Sequence, residues 1–504
     1  MIDSPTTNRH APMIVFPTAA ILLALASTLV FTGCQKSALR PNLPQAYTPP
    51  AARPKGKPPI IFIPGILGSR LVNRRTGETV WPDLRVDSDA VALPISSTVL
   101  ARNTDEIVAT EVVEDAKVSA LIPEISVYGP MLEAIERYGG YRRGRFDAPP
   151  PGGDCDTIYL FAYDWRRDIV ESARELGCMI EDLKRRLGRP DLRFDIVAHS
   201  MGGLVARYYA MYGGRDVLDS PVACPDWAGA QNLNKIVMIA TPNAGAISAL
   251  RVLFNGFSAL TFAKPFGYLP FSLGRKLPFA RVGPRVTFTV PAIYELLPPR
   301  GQARFFSASL NKLPVDLYDL ETWRRYGWSA AFDRKTRRRE LAQLDAKLGP
   351  DAAMAESLRR AAERERFLQV VLRRSAAFHD ALDVDCPPPP TLRFSFIGGD
   401  CNLTLDGVVI FKGIFPRTIF TLAEFRGDKW SRRKALDLMF TAGDGTISTH
   451  SLFGLPPDAQ PTMAVSTSMR SALVGTALFC NSHNGLTRDQ AAQTNLLTEL
   501  LNSP

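Results

Sequence analysis

The chain is poor in histidine and lacks any paired-cysteine motif. Only five histidines occur in 504 residues, at positions 10, 199, 379, 450 and 483. No two of the seven cysteines stand in CxxC spacing, which excludes a zinc ribbon or a thioredoxin-like redox site built from neighbouring thiols. No cluster of His, Cys, Asp and Glu has metal-ligand spacing, so no metal is expected and a metal-dependent hydrolase is excluded. A glycine-rich loop that would cradle phosphates is also missing, and no cofactor is expected. Nucleic-acid motifs are absent, and the basic residues are not interleaved with aromatics in a regular way, so no nucleic-acid partner is expected. No internal repeat occurs, which excludes a solenoid.

What the chain has is size, a basic balance and a marked beginning. Its length admits one large domain with insertions or two to three domains. The formal net charge is +10, and without a nucleic-acid motif an anionic membrane surface is the better-suited partner. No motif speaks to the oligomeric state. Residues 13–31 form a nearly continuous apolar run, followed by Gly33-Cys34. The run is long enough to cross a bilayer. A small residue directly before a cysteine points instead to a bacterial lipoprotein signal over residues 1–33, cleaved before Cys34, whose thiol then carries a lipid. An uncleaved anchor and ordinary secretion are the alternatives, and all three put the folded part outside the cytoplasm. Gln35 is not the aspartate that retains lipoproteins at the inner membrane. The expected location is therefore the cell envelope, facing the periplasm or exterior, at the outer membrane rather than the inner. With Cys34 lipidated, Cys155, Cys178, Cys224, Cys386, Cys401 and Cys480 remain, enough for up to three disulfides.

Residues 34–58 are rich in proline and polar residues and read as an extended tether. The folded part starts at "PPIIFIPGILGSRL", where residues 60–63 have the continuous apolar text of a strand buried on both faces. A second such run covers 156–165. A helix follows, with Ile169, Ala173, Leu176, Ile180, Leu183 and Leu187 at spacings of three and four, ending at Gly188-Arg189-Pro190. Strand 194–198, helix 201–211 and strand 235–242 continue the alternation. The fold class is α/β, a doubly wound, mostly parallel sheet covered on both faces. After Ala244 the pattern breaks. Residues 250–300 are rich in Phe, Leu, Gly and Pro, residues 321–382 look helical and very basic, and strand text returns at 392–399. The expected division is a first core part over 59–245, a mainly helical cap or lid over 246–390, and a second core part over 391–504.

The chemistry centres on "FDIVAHSMGGLVARYYA". A serine hydroxyl becomes a nucleophile only when a base removes its proton, and attack on an ester needs it lifted clear at a tight strand-to-helix turn between small residues. The elbow G-x-S-x-G meets both needs, and Ala198-His199-Ser200-Met201-Gly202 matches it with alanine for the first glycine. The bland reading of Ser200 is a helix N-cap. For the base, His10 lies in the leader, His379 in the basic insertion, and His199 at the variable elbow position, where it should point away. His483, in "CNSHNG" after an apolar stretch and before the last helix, sits at a strand end and is the better base; His450 reads as a surface or supporting residue. In the order nucleophile, acid, base, the acid lies between them. Asp444 in "TAGDGTIS" and Asp400 in "FIGGDCN" both follow strand text, and either could be a turn residue. Asp164-Trp165-Arg166-Arg167 read as a structural ion pair beside a packed tryptophan.

Four pieces in this order, "IFIPGILGSRL", "FAYDWRRD", "AHSMGG" and "GDGTIS" before the last histidine, resemble the lecithin:cholesterol acyltransferase family, and "ATPNAG" and "YELLP" are similar to it as well. They extend from about residue 60 to 485. The resemblance implies an α/β-hydrolase with a cap and lid, and makes Asp444 the acid of a Ser200–Asp444–His483 triad. It further implies an oxyanion hole from the N–H groups of Ile66, which follows Pro64-Gly65, and of Met201. Ala198 and the basic insertion 321–382 depart from the pattern, the second bearing on substrate.

Between residues 250 and 280 stand Phe254, Phe257, Phe262, Phe266, Phe271 and Phe279, separated by Gly, Pro and Lys. Such text suits a mobile apolar lid or the core of a cap. Basic helices suit anionic headgroups or form a solvated face. The expected function is serine-dependent acyl transfer from a lipid ester, a phospholipid or other glycerol ester, to water or an alcohol, with the membrane surface as partner through lipidated Cys34 and the apolar lid. A lipase or esterase without phospholipid preference is one alternative. A non-catalytic lipoprotein that binds lipid or a partner is the other.

Overall fold

Four apolar residues in a row, Ile60–Ile63, form a strand (β1) whose side chains are all fully buried. Successive side chains leave a strand on opposite faces, so a run without alternation needs cover on both sides. Ile60 and Phe62 pack into one apolar cluster and Ile61 and Ile63 into another. In the computed structural model, residue 43 and residues 56–82, 88–116, 125–220, 224–258, 281–413, 416–457 and 467–501 are described. Residues 1–42, with the signal segment and Cys34, lie outside them, as do most of the tether and Phe262, Phe266, Phe271 and Phe279 of the expected lid.

The central sheet has seven strands: β1, β2 (Arg142–Gly144), β3 (Thr157–Leu160), β4 (Phe194–His199), β5 (Leu233–Ile239), β6 (Arg393–Gly399) and β7 (Leu473–Phe479). Their order is β7-β6-β5-β4-β1-β3-β2, with every neighbouring pair parallel. Helices α1 (Gly129–Arg137) and α7 (Gln490–Leu501) cover one face, burying Met131, Leu132, Ile135, Leu496 and Leu500 against Ile60, Phe62, Val197 and Val237. On the other face lie α2 (Ile169–Leu187) and α3 (Met201–Tyr212). This is the α/β-hydrolase fold, as expected.

α2 shows how local text sets an element. Asp168 caps it by accepting the Val170 N–H, and Gly188 closes it in the left-handed region at φ 65°. Ile169, Ala173, Leu176, Ile180 and Leu183 are completely buried. Truncating one of the larger of these to alanine would cost about 2–5 kcal/mol.

Between β5 and β6 the chain leaves the sheet. This stretch holds helices Ser248–Asn255 and Leu320–Tyr326, then α4 (Arg334–Leu348) and α5 (Pro350–Leu382). α4 is polar almost all round, and Leu344 is the only buried side chain among its described residues. Its Glu340 binds Arg360 and Arg364 of α5. The second half of α5 enters the core with Phe367, Leu368, Val371, Leu372 and Phe378. The insertion is not self-contained. Its strand Arg304–Ser307 pairs in parallel with Gly407–Phe411, which pairs antiparallel with Arg417–Ile419. The expected second core part therefore includes an excursion between β6 and β7 that completes the sheet of the insertion.

Two disulfides form, Cys224–Cys386 and Cys401–Cys480, while Cys155 and Cys178 are free thiols. Among the described residues no helix is long and apolar enough to cross a membrane.

Candidate active site at the carboxyl edge of the sheet

The register aligns the ends of the central strands. Ile63 of β1 pairs with Ala198 of β4, and Ala198 with Met238 of β5. The residues just past these ends meet at one edge, where open parallel sheets place their ligands. Ser200 stands there, between β4 and α3, with φ 52° and ψ −125°. A positive φ costs a non-glycine residue energy and persists only where the surroundings hold it. Here the Ser200 N–H donates to Ile239 O at 2.8 Å, and the glycines beside it allow close packing. A Cβ on Gly202 would stand 2.5 Å from Pro64 O, and one on Gly203 2.0 Å from Thr241 Oγ1. Ala198, in the place of the elbow's first glycine, is fully buried.

His483 comes from the loop after β7. Its Nε2 lies 2.9 Å from Ser200 Oγ and its Nδ1 2.8 Å from Asp444 Oδ2. Its backbone N–H donates to Asp444 O at 2.9 Å, so both ring and main chain tie the two loops. The other carboxylate oxygen of Asp444, Oδ1, accepts the N–H groups of Thr446 (2.8 Å) and Ile447 (2.7 Å). Asp444 is buried. The "GDGTIS" turn thus fixes the carboxylate with its own amides and leaves one oxygen for the imidazole. The structure brings Ser200, His483 and Asp444 into one hydrogen-bonded line. Asp400 is exposed, at the end of β6, and has no part in it.

The other histidines are accounted for. His10 lies outside the described residues. His379 is buried in α5, where desolvation lowers its pKa to about 4. The Nε2 of His450 meets Asp406 Oδ1 at 2.6 Å and Ser448 Oγ at 2.9 Å, and its Nδ1 meets Leu455 O at 3.2 Å. It is a half-buried brace. His199 corrects the expectation that it would point away. Its ring packs on that of His483, and Tyr128 OH lies 3.0 Å from its Nδ1. Complete burial, with the neighbouring His483 second, pushes the pKa of His199 well below the usual imidazole value. The Tyr128 oxygen accepts the Gly65 N–H at 2.9 Å, which leaves its single proton to donate to His199.

The loop after β1 is pressed against the serine: a Cβ on Gly65 would stand 2.9 Å from Ser200 Cβ. Ile66 follows it, and Met201 opens α3. Among the described residues no hydrogen bond is made to the N–H of either. Tyr163 OH donates to Pro64 O at 2.8 Å and Trp81 Nε1 to Leu67 O at 2.8 Å, so aromatic residues hold this loop from two sides. Beside Tyr163, the guanidinium of Arg166 is fully buried and grips Asp164 at 2.7–2.9 Å and Asp105 at 2.7–3.0 Å, two oxygens each. Trp165 Nε1 donates to Ser69 O at 3.3 Å. Asp164–Arg167 is therefore a structural segment, as its text suggested, and Tyr163 next to it is the residue that braces the loop.

The last brace is covalent. Cys401 follows β6 by two residues, Cys480 follows β7 directly, and their disulfide stands three residues before His483. Asn402 Nδ2 donates to Asn481 O at 2.7 Å across the same junction. Sequence reading missed Tyr128, Tyr163, Asn402 and this pairing. Only the adjacency of β6 and β7 links the two cysteines.

Fold and site together define an α/β-hydrolase with a serine elbow. The chain resembles the lecithin:cholesterol acyltransferase family, whose model matches residues 109–264, a range that includes Ser200 and ends before Asp444 and His483. Among solved structures it is similar to the Tle4–Tli4 complex (14% identity, TM-score 0.49, 89% of this chain and 99% of that one). It is also similar to lipase 1 from Pelosinus fermentans (11% identity, TM-score 0.32, 89% and 100%). A third similarity is to phospholipase PlaB from Legionella pneumophila (16% identity, TM-score 0.21, 46% and 32%). No curated protein sequence matches the chain. The family resemblance supports hydrolysis or acyl transfer on lipid esters in general.

Proposed function

We propose that the chain takes an acyl group from a membrane lipid ester, a phospholipid or another glycerol ester, onto Ser200 and passes it to water or to an alcohol. The observation that carries this reading is the hydrogen-bonded line from Ser200 Oγ through both ring nitrogens of His483 to Asp444. His483 Nε2 accepts the serine proton as Oγ bonds to the acyl carbon. Asp444 holds the ring with Nδ1–H toward it and stabilises the imidazolium that forms. The carbonyl oxygen becomes an oxyanion beside the N–H groups of Ile66 and Met201. The ester C–O bond then breaks, and His483 returns its proton to the departing lyso-lipid oxygen, leaving an acyl-serine. Water or an alcohol next gives its proton to His483 and attacks the acyl carbon; the acyl–Oγ bond then breaks as His483 passes that proton to Ser200, releasing a fatty acid or a new ester. The acceptor depends on how far water is excluded from the closed site. Lipidation at Cys34 and a place in the cell envelope facing the periplasm or exterior belong to the same proposal. They rest on the Gly33-Cys34 text after the apolar run.

The test pairs the purified chain with its Ser200→Ala variant, a fluorophosphonate probe, and mixed phospholipid vesicles whose products are read by mass spectrometry. Wild type should label and consume phospholipid, and the variant should do neither, since loss of such a nucleophile costs about a million-fold in kcat. Folded wild type that neither labels nor turns over any lipid ester would sink the reading.

A further inference from the structure

Of the six tryptophans, Trp81, Trp165, Trp323 and Trp328 are buried and Trp227 is half-buried, while Trp430 is 69% exposed. It stands at the start of α6 (Lys429–Met439). This helix turns Ala435 and Met439 to the core, so at 3.6 residues per turn Trp430, Arg433, Lys434 and Asp437 share the opposite side. The surrounding text is "RGDKWSRRK", residues 426–434, with five cations and one carboxylate. That carboxylate, Asp428, is spent capping the helix by accepting the Ser431 N–H at 2.7 Å. Lys434 Nζ lies 5.5 Å from the indole centroid, and Arg433 pairs with Asp437 at 3.5 Å, an exposed contact worth little in water.

We infer that α6 is a docking surface for an anionic phospholipid bilayer, with Trp430 seated among the headgroups and the cations around it drawing the helix to the membrane. This rests on the lipid-ester reading above and adds the surface by which the site meets its substrate. An indole presents an apolar body and a polar N–H, which suits the headgroup layer better than water or a protein core. Lys and Arg beside it are attracted by an anionic leaflet within a Debye length. A solvated helix needs the cations but not the indole.

The position of the helix fits this occupant. Met439 is followed at once by strand Phe440–Gly443, and Gly443 by Asp444. Trp430 is thus separated from Asp444, the carboxylate bound to His483, by no more than about 30 Å of chain. A bilayer touching α6 would lie against the element that delivers Asp444 to the site.

The experiment adds the unlipidated chain from Cys34 onward, so that neither the apolar run nor a lipid holds it on the membrane, to vesicles of phosphatidylcholine alone or with phosphatidylglycerol, carrying bromine on the acyl chains to quench tryptophan fluorescence. Quenching should appear with phosphatidylglycerol and weaken at about 1 M salt, where the Debye length is about 3 Å. It should be lost in Trp430→Phe and fall severalfold in a Lys429→Glu/Arg433→Glu/Lys434→Glu variant. Far-ultraviolet circular dichroism and turnover of a water-soluble ester should match wild type in both, because none of these residues touches the site. Equal quenching in Trp430→Phe, or equal quenching without anionic lipid, would overturn the docking surface. Quenching that follows the expected pattern in a chain that fails to label with fluorophosphonate would instead overturn the catalytic reading and leave the surface standing.

Discussion

The rings of His199 and His483 lie 4.9 Å apart, centroid to centroid, at 47° to each other. His199 is in turn held by the Tyr128 hydroxyl, which also accepts the Gly65 N–H. One phenol therefore holds both the imidazole that packs on His483 and the loop beside Ser200. Tyr128→Phe leaves two buried partners unsatisfied, which should cost about 1–3 kcal/mol in urea unfolding. The same variant should slow fluorophosphonate labelling of Ser200 and lower kcat more than it raises KM. Loss of stability at an unchanged labelling rate would assign Tyr128 to the fold alone.

Gly65 is the point of closest approach between that loop and the serine. A methyl group there would meet Ser200 Cβ at 2.9 Å and His199 Nδ1 at 3.2 Å. Gly65→Ala must push the loop that carries Ile66 and the elbow of Ser200 apart. If the Ile66 N–H serves the oxyanion, kcat on a soluble ester should fall by about 10²–10³, the effect of losing one such donor. KM should change little. Wild-type kcat in a folded Gly65→Ala protein would take Ile66 out of the mechanism.

The Cys401–Cys480 disulfide joins the ends of β6 and β7 just before the loop of His483. Replacing both cysteines by serine should cost about 2–4 kcal/mol of stability. Labelling at Ser200 should slow as well, because the loop loses its covalent edge. The Cys224–Cys386 pair, between the loop after α3 and the end of the insertion, is the control. Its removal should lower the melting temperature without an equal loss of labelling.

His379 sets part of the acid sensitivity. Burial lowers its pKa from 6.5 to about 4. Between these values the unfolded chain binds the proton and the folded chain does not, so stability is fully present above about pH 6.5 and is lost as the pH falls toward 4. The size of this contribution is on the order of 3 kcal/mol. His379→Leu should flatten that part of the stability profile measured by urea unfolding. An unchanged profile would show that His379 takes up its proton equally in the folded and unfolded chain.

Arg166 is fully buried between two carboxylates, each bound through both oxygens. Arg166→Met should cost about 3–5 kcal/mol, because two acidic groups lose their partner in a poorly solvated site. Arg166→Lys should recover little, since an ammonium cannot grip two carboxylates in parallel. Both are read by thermal unfolding.

Much of this site could be read from local text. The strand over β4, the small residues around Ser200 and the start of α3 are consequences of side-chain size and period over some twenty neighbouring residues. So are β1 and α2, whose boundaries follow from an apolar run, a capping Asp168 and a closing Gly188. The order of serine, acid and base along the chain narrowed the histidine to His483 because the other four have other surroundings. Tertiary structure decided what depends on which distant segments become neighbours. Asp400 and Asp444 both end strand-like text; their positions alone do not separate them, the family resemblance favours Asp444, and the meeting of the "GDGTIS" turn with the loop after β7 is what places that carboxylate on His483. Alternation along a strand turns His199 away from its neighbour, yet it meets His483 because that ring arrives from a loop 284 residues further on. Cysteine pairing, the bracing by Tyr128 and Tyr163, and the sheet shared by the insertion and the segment after β6 depend likewise on strand order. Local patterns specify elements through propensity and burial, whereas strand order is a property of the whole packed chain, and no window of sequence contains it.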